Sequence, residues 1–149
     1  MRSPDADDLP GEGVVDLWLL PEAPSPEVSS AYGILDAAER HRARSFPTPA
    51  GRGRYVRAHV ALRTVLARYT GQAPADIRLA RERPHGRPVL RDAPLPWFSL
   101  SHSHGLVAVA VAARPVGVDV QRICPLGTVE ACLPRLHPAE RDELGRFTG

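Results

Sequence analysis

The chain has 149 residues, of which 43% are hydrophobic and 24% are charged. That is the size and balance of one ordinary domain, and it excludes a wholly disordered chain. The formal net charge of +2 is too small to argue for a nucleic-acid partner, and no apolar run approaches the ~20 residues that cross a bilayer. Segment 1–13 is rich in Asp, Gly and Pro and unlike a signal peptide. We therefore expect a disordered tail over 1–13, one domain over 14–149 and a cytoplasmic protein with no membrane partner.

The N-terminal half of the chain predicts one strand followed by helices. β-Branched and aromatic residues over 14–20 are typical of a buried strand, which Pro21 ends. Asp36 and Glu39 have the spacing of a capping box that opens a helix, and Gly71 is expected to end the longest helix. The predicted elements of this half are a strand over 14–20 and helices over 25–33, 36–44 and 51–69.

The C-terminal half predicts short strands and then two helices. The predicted strands cover 77–81, 89–90, 97–101, 106–113 and 117–120, with a turn at 86–88 and helices that open at Thr128 and His137. Helices followed by strands in hairpin-like succession favour an α+β fold, with helices packed on a mainly antiparallel sheet. They argue against the alternating units of a parallel doubly wound sheet.

The segment after Phe98 carries polar side chains that suggest chemistry. Ser101 and His102 could be a nucleophile and its base, but adjacent strand residues point to opposite faces, so a dyad is geometrically poor. The same alternation predicts two sets, with Ser99, Ser101 and Ser103 on one face and His102 and His104 on the other. The two histidines could ligate zinc, yet no further His or Cys cluster completes a tetrahedral site. An ordinary strand end whose polar residues meet water stays open as an alternative.

Asp119 lies in an otherwise apolar run that the pattern predicts to be a strand. A carboxylate buried there is costly unless it is paired or bound to a metal. Its hard oxygen suits Mg²⁺, which takes one or two carboxylates together with water and substrate phosphate. Gln121, two residues on, points to the same face and offers a neutral carbonyl oxygen. The alternative is an ion pair between Asp119 and Arg114 or Arg122.

Three segments, in this order and spacing, resemble the N-terminal half of the 4′-phosphopantetheinyl transferases of the surfactin-synthetase-activating type. They are Gly86-Arg87-Pro88, Phe98-Ser99-Leu100-Ser101-His102-Ser103 and Gly117-Val118-Asp119-Val120. The helices over 38–46 and 54–68 and the run 137–141 also look like that family. The resemblance covers the chain from about Val14 onwards and implies one half of a fold built from two similar halves, with the second half missing.

The resemblance implies a reaction and a site. Coenzyme A, bound with Mg²⁺, would donate phosphopantetheine to a serine of an acyl or peptidyl carrier protein and release adenosine 3′,5′-bisphosphate. The implied coenzyme A-binding residues are Arg42 (or Arg40, given an uncertain one-residue gap), Arg54, Gly86, Arg87, Pro88, Ser101 and His102. Asp119 would ligate Mg²⁺, with Gln121 beside it in a position where family members often carry an acidic residue.

One departure from the family concerns catalysis. The later Trp-x-x-Lys-Glu helix, which the resemblance says supplies another metal carboxylate and a phosphate-binding lysine, does not occur in the sequence, and the chain contains no lysine. We therefore expect no catalytic general base on this chain, a C-terminal truncation, and either a complementary C-terminal half or self-association. Two other functions stay open: a non-catalytic module that binds coenzyme A or a carrier protein, and an Arg-rich nucleic-acid binder based on the cluster 40–57.

Overall fold

A computed structural model describes residues 9–21, 28–83, 86–123 and 125–146. Most of the predicted tail, and the predicted start of the first helix at Ser25 and Pro26, lie outside these residues. The helices are α1 (Val28–Ile34), α2 (Ala37–Arg44), α3 (Pro49–Thr70), α4 (Leu126–Cys132) and α5 (Pro138–Gly145). The strands are β1 (Val15–Pro21), β2 (Leu79–Arg81), β3 (Pro88–Leu90), β4 (Trp97–Ser103) and β5 (Leu106–Ala112).

The strands form two antiparallel sheets. The larger has the order β1-β5-β4, with both outer strands antiparallel to β5, and the smaller is the hairpin of β2 and β3. The turn from β4 to β5 passes through His104 and Gly105, which have φ angles of 43° and 85°. Helices packed on antiparallel sheets confirm the predicted α+β class.

Capping signals in the sequence set the helix ends. The Asp36 side chain accepts from the backbone N–H of Glu39, and the Glu39 side chain accepts from the N–H of Asp36, so the predicted capping box is formed. Thr48 caps α3, and Gly71 ends it in the left-handed conformation with φ of 65°. The His137 side chain caps α5 by accepting from the backbone N–H of Ala139, and the Glu140 side chain accepts from the N–H of His137.

The core lies between α3 and one face of the larger sheet. The apolar stripe of α3 packs on alternate residues of β4 and β5, and the shared cluster includes Leu62, Val65, Leu66, Phe98, Val107, Val109 and Val111. At its edge the indole Nε1 of Trp18 donates to the hydroxyl of Tyr69, which donates to Asp16, at 2.8 Å in both cases. These contacts tie β1 to the C-terminal end of α3.

The opposite face of the larger sheet is apolar and partly open. Val15, Leu17 and Leu19 of β1 are 51% to 56% exposed. The residues opposite them on β5 are Ala112, Ala110 and Ala108, which are buried. No helix among the described residues is long and apolar enough to cross a membrane.

The structure corrects five predictions. The strand expected to be buried over 14–20 is β1, and one of its faces is exposed. Residues 117–120 form no strand, and the physical reason lies in the serines of β4, described below. The first helix was expected to end at Gly33, but α1 continues to Ile34, and Thr128, expected to open a helix, lies inside α4. Asp119 is exposed rather than buried.

Candidate functional site

The segment that carries Asp119 is attached to β4 through serine hydroxyls. The backbone N–H of Val118 donates to Ser99 Oγ at 3.1 Å, and that of Val120 donates to Ser101 Oγ at 3.0 Å. The Ser101 hydroxyl donates in turn to Asp119 Oδ1 at 2.8 Å. In a sheet, these N–H groups would donate to backbone carbonyls of the neighbouring strand. Because serine hydroxyls of β4 accept from them instead, the segment lies along β4 without joining the sheet.

The Asp119 carboxylate is exposed to solvent, contrary to the sequence-based expectation. Asp119 was expected to be buried and therefore to need a partner, and this expectation was wrong because Asp119 is solvent-exposed. The alternative partner Arg114 pairs with Glu12 instead. Asp119 is therefore free of a burial penalty and accessible from solvent, with Ser101 as its hydrogen-bond donor.

This edge offers a divalent cation one carboxylate, Asp119, and the side-chain amide of Gln121. Asp119 supplies one hard carboxylate, and Gln121, two residues on, is also exposed. Among the described residues no three His, Cys, Asp or Glu side chains come together as metal ligands. Mg²⁺ commonly takes one or two carboxylates and completes its shell with water and substrate phosphates, so this donor set suits a cation held jointly with a ligand.

A large cleft opens between α2, α3 and the β2–β3 hairpin. Its volume is about 840 Å³, and its wall is formed by Asp36, Ala38, Glu39, Arg42, Tyr55, His59, Leu79, Ala80, Arg81 and Pro88. Arg42 and Pro88, both implied by the resemblance, thus face one space. Arg40, the alternative to Arg42, donates instead to the backbone carbonyls of Tyr32 and Leu35.

Part of the cleft wall belongs to a buried charge network. The Glu39 side chain is 7% exposed and accepts from Arg63 Nε at 2.8 Å, while His59 Nδ1 lies 2.8 Å from its other oxygen. Arg63, 0% exposed, also donates to Asp36 and to the carbonyls of Pro74 and Ile77. The network joins α2 to α3 and to the segment that leads into β2.

Glu39 of the network and the neighbouring Tyr55 have shifted pKa values. Burial acts to raise the pKa of Glu39, but the hydrogen bond with His59, the bond from the Asp36 N–H and the charge of Arg63 outweigh it, so the pKa lies below its usual range. Burial first and the Glu39 charge second raise the pKa of Tyr55 to about 12. The Tyr55 ring stacks on His59 with 4.1 Å between ring centroids. The Tyr55 phenol therefore lines the cleft in its neutral form at physiological pH.

The Gly86-Arg87-Pro88 motif lies where the hairpin returns into β3. A Cβ on Gly86 would lie 2.9 Å from the backbone nitrogen of Arg83, so this close turn requires glycine. Arg87 donates to both carboxylate oxygens of Glu82, which lowers the pKa of that carboxyl. Its guanidinium also lies 4.1 Å from the Trp97 ring centroid. Arg87 is thus held in a defined position by an anion and an aromatic ring.

The remaining residues implied by the resemblance lie on exposed surface. Arg54 is exposed on α3, and His102 is exposed near the end of β4. The structure brings Arg42 and Pro88 to one cleft, and Ser101 into contact with Asp119.

Sequence reasoning missed the interior of the cleft. Glu39 was recognised for its capping role alone, and His59, Arg63 and Arg81 were not selected. One signal was available: Tyr55, His59 and Arg63 recur at four-residue intervals on α3, a spacing that places them on one helix face. An arginine that is buried with the apolar stripe of a helix needs a charged or carbonyl partner from elsewhere in the fold.

Comparison with known proteins identifies relatives of one kind, although no family model matches the chain. The chain is 30% identical over 137 residues to the 4′-phosphopantetheinyl transferase HetI of Nostoc sp., an alignment that covers 89% of the chain and 57% of HetI. It is 27% identical over 118 residues to a 4′-phosphopantetheinyl transferase of Bacillus subtilis, with 79% and 52% covered. For the 4′-phosphopantetheinyl transferase Sfp of B. subtilis the identity is 28% over 93 residues, with 62% and 41% covered. The chain spans about half the length of these curated relatives.

Proposed function

The chain belongs to the 4′-phosphopantetheinyl transferase superfamily, and we propose from this premise that it supplies the coenzyme A-binding part of such a transferase. Its substrate is coenzyme A, its acceptor is a serine of an acyl or peptidyl carrier protein, and its metal is Mg²⁺. The observation that carries the proposal is the exposed Asp119 carboxylate, which lies 2.8 Å from the Ser101 hydroxyl and so joins two of the three segments that resemble the family.

Two arginines at the cleft support an anionic ligand, because the two carboxylates of its wall, Asp36 and Glu39, are already paired with Arg63. Arg42 and Arg81 line one wall, and guanidinium groups make charge-assisted hydrogen bonds to phosphate oxygens. Arg87 lies beside the same hairpin and has a carboxylate partner, Glu82, that a phosphate could replace. Coenzyme A carries a diphosphate and a 3′-phosphate, so several basic contacts in one region suit it.

In the proposed reaction the carrier-protein serine oxygen attacks the phosphorus that bears the pantetheine arm. A new O–P bond forms, and the bond between that phosphorus and the bridging diphosphate oxygen breaks, releasing adenosine 3′,5′-bisphosphate. A divalent cation, when bound, neutralises charge that develops on the diphosphate. Asp119 would hold that cation, the arginines would orient the nucleotide, and Ser101 would orient Asp119 or contact phosphate. The proton of the attacked serine goes to a base that we do not assign to this chain.

Calorimetric titration of the chain with coenzyme A, with and without Mg²⁺, tests the binding step. We expect Mg²⁺-dependent binding that weakens at least tenfold in Asp119→Asn and in Arg42→Ala, because each removes a charged contact. Asp76→Asn, which alters another exposed aspartate, is the matched control and should bind normally. Gln121→Glu adds a second carboxylate two residues after Asp119 and should strengthen Mg²⁺ binding.

Transfer of a labelled pantetheine arm to an apo carrier protein tests the reaction. Transfer by the chain alone, or only after a downstream half from a relative is added, supports the proposal. Coenzyme A binding without transfer under both conditions would favour a non-catalytic binding module. A chain that binds no coenzyme A with Mg²⁺ present would contradict the proposed function.

A further inference from the structure

The serine face of β4 offers two hydroxyls at a spacing that matches the backbone of the Asp119 segment. Ser99 and Ser101 are two residues apart on a strand, so their side chains share a face. They accept from the N–H groups of Val118 and Val120, which are also two residues apart. The residue numbers increase in the same direction on both sides, so the segment runs parallel to β4 in extended form. It is bound to β4 through serine side chains and not through a ladder of backbone hydrogen bonds.

The two serines have different tasks. A hydroxyl has one proton and two lone pairs. The Ser101 proton goes to Asp119 and its oxygen accepts from Val120, so Ser101 touches the carboxylate directly. Ser99 accepts from Val118, the residue before Asp119, and makes its contact with the backbone. The backbone on both sides of Asp119 is thereby fixed, although this segment pairs with no strand in the described part of the chain.

We propose that Ser99 is a positioning residue for the divalent-cation site, fixing the backbone before Asp119 so that its carboxylate is aimed at the cation. This inference rests on the proposed function for the presence of a cation, and on the Ser99–Val118 bond for the role of Ser99. Ser99 itself contacts neither Asp119 nor, in this assignment, the cation or the phosphates. Its effect is transmitted through the peptide unit between Val118 and Asp119.

Three variants separate this role from a general effect on folding. Ser99→Ala removes the acceptor, Ser99→Thr keeps a hydroxyl on a strand where a β-branched residue is well tolerated, and Ser103→Ala removes a serine from the same face. Ser103 is the matched control because its hydroxyl pairs with His104 and not with the Asp119 segment. Thermal unfolding of each variant establishes that it is folded.

Two readouts are measured on these variants. The first is amide hydrogen exchange at Val118 and Val120, followed by NMR. The second is Mn²⁺ affinity in the presence of coenzyme A, measured from the electron paramagnetic resonance signal of free Mn²⁺. In Ser99→Ala we expect exchange at Val118 to accelerate and Mn²⁺ affinity to fall, each by about 2- to 10-fold, the range that loss of one hydrogen bond gives. Ser99→Thr should restore both, and Ser103→Ala should change neither.

The outcomes distinguish the inference from the proposed function. If the unaltered chain holds Mn²⁺ and Ser99→Ala holds it equally well, the positioning role is wrong while the proposed function stands. Faster exchange at Val118 with unchanged Mn²⁺ affinity would likewise overturn it, because Ser99 would then be a structural contact alone. If the unaltered chain holds no Mn²⁺ with coenzyme A, the proposed function is wrong and the positioning role falls with it.

Discussion

Two carboxylates, Glu39 and Asp119, accept hydrogen bonds in very different surroundings. Glu39 is buried and shared by His59, Arg63 and its own helix cap. Asp119 is exposed and accepts from the Ser101 hydroxyl. The difference teaches which carboxylate has capacity left for a ligand: the lone pairs of Glu39 are committed to structural partners, whereas Asp119 retains oxygen lone pairs that face solvent.

The same contrast separates rigidity from adaptability. The Glu39 network connects three parts of the fold and holds part of the cleft wall in one geometry. The Asp119 segment is fastened by a few hydrogen bonds near the surface, each with a modest net contribution of about 1 kcal/mol. If the two regions differ in this way, substitutions in the Glu39 network should cost more stability than substitutions at Asp119.

Removing the charge of Glu39 should give the largest loss of stability. Glu39→Gln keeps the size and capping ability of the side chain, but it leaves Arg63 buried without its closest counter-charge. We expect the free energy of unfolding to fall by about 3 kcal/mol, the lower end for breaking a buried ion pair, because Arg63 keeps its other acceptors. Denaturation in urea measures it.

Glu140→Gln is the matched control for this change. Glu140 occupies the same capping-box position in α5 and is exposed, so its substitution should cost less than about 1 kcal/mol. Equal losses in the two variants would contradict the special role of the buried network.

The turn before β3 should be the next most sensitive feature. Gly86→Ala would bring a Cβ to 2.9 Å from the backbone of Arg83 and should destabilise the fold by about 1–3 kcal/mol. Gly117→Ala meets no atom within 4 Å, so it should be neutral or slightly stabilising. Thermal unfolding of both variants measures how much the close turn at Gly86 contributes to stability. An unchanged melting temperature in Gly86→Ala would show that this turn does not require glycine.

Acid should weaken the network gradually. The pKa of Glu39 is lower in the folded chain than its ordinary value of 4.5. Its contribution is therefore complete above about pH 4.5 and is lost as the pH falls through the folded-state pKa. One proton gives a slope of at most about 1.4 kcal/mol per pH unit. Urea unfolding at a series of pH values should show a shallower acid loss in Glu39→Gln than in the unaltered chain, and parallel curves would assign the loss to other groups.

Asp119→Asn should have the smallest effect on stability, because the carboxylate is exposed. We expect the free energy of unfolding to change by less than about 0.5 kcal/mol. The same variant should bind coenzyme A at least tenfold more weakly in the presence of Mg²⁺. A loss of stability comparable to that of Glu39→Gln would erase the distinction between the two carboxylates.

Local signals in the sequence predicted much of the fold. The capping box of Asp36 and Glu39 and the stop at Gly71 depend on neighbours within one turn, so they could be recognised without the fold. Strands β4 and β5 were predicted from their own apolar runs. The strand expected over 117–120 was wrong because a contact from Ser99, 19 residues away along the chain, replaces its pairing.

The candidate site was predictable only where its signals are local in the sequence. The motifs around Ser101 and Asp119 were recognisable, and the structure brings these two side chains into contact. The exposure of Asp119 was not predictable, because it depends on whether the segment enters the sheet. The partnership of Glu39 and Arg63, 24 residues apart, required the packing of α2 on α3.

The stacking of Arg87 on Trp97 has an optical consequence. The chain has two tryptophans, and the indole of Trp97 lies beneath a guanidinium that is also paired with Glu82. An anion that draws Arg87 away from Glu82 changes the electric field at this indole and therefore its emission. With Trp18→Phe, the tryptophan fluorescence of the chain comes from Trp97, beside the Gly86-Arg87-Pro88 turn, and ligand binding at that turn can be followed without a label.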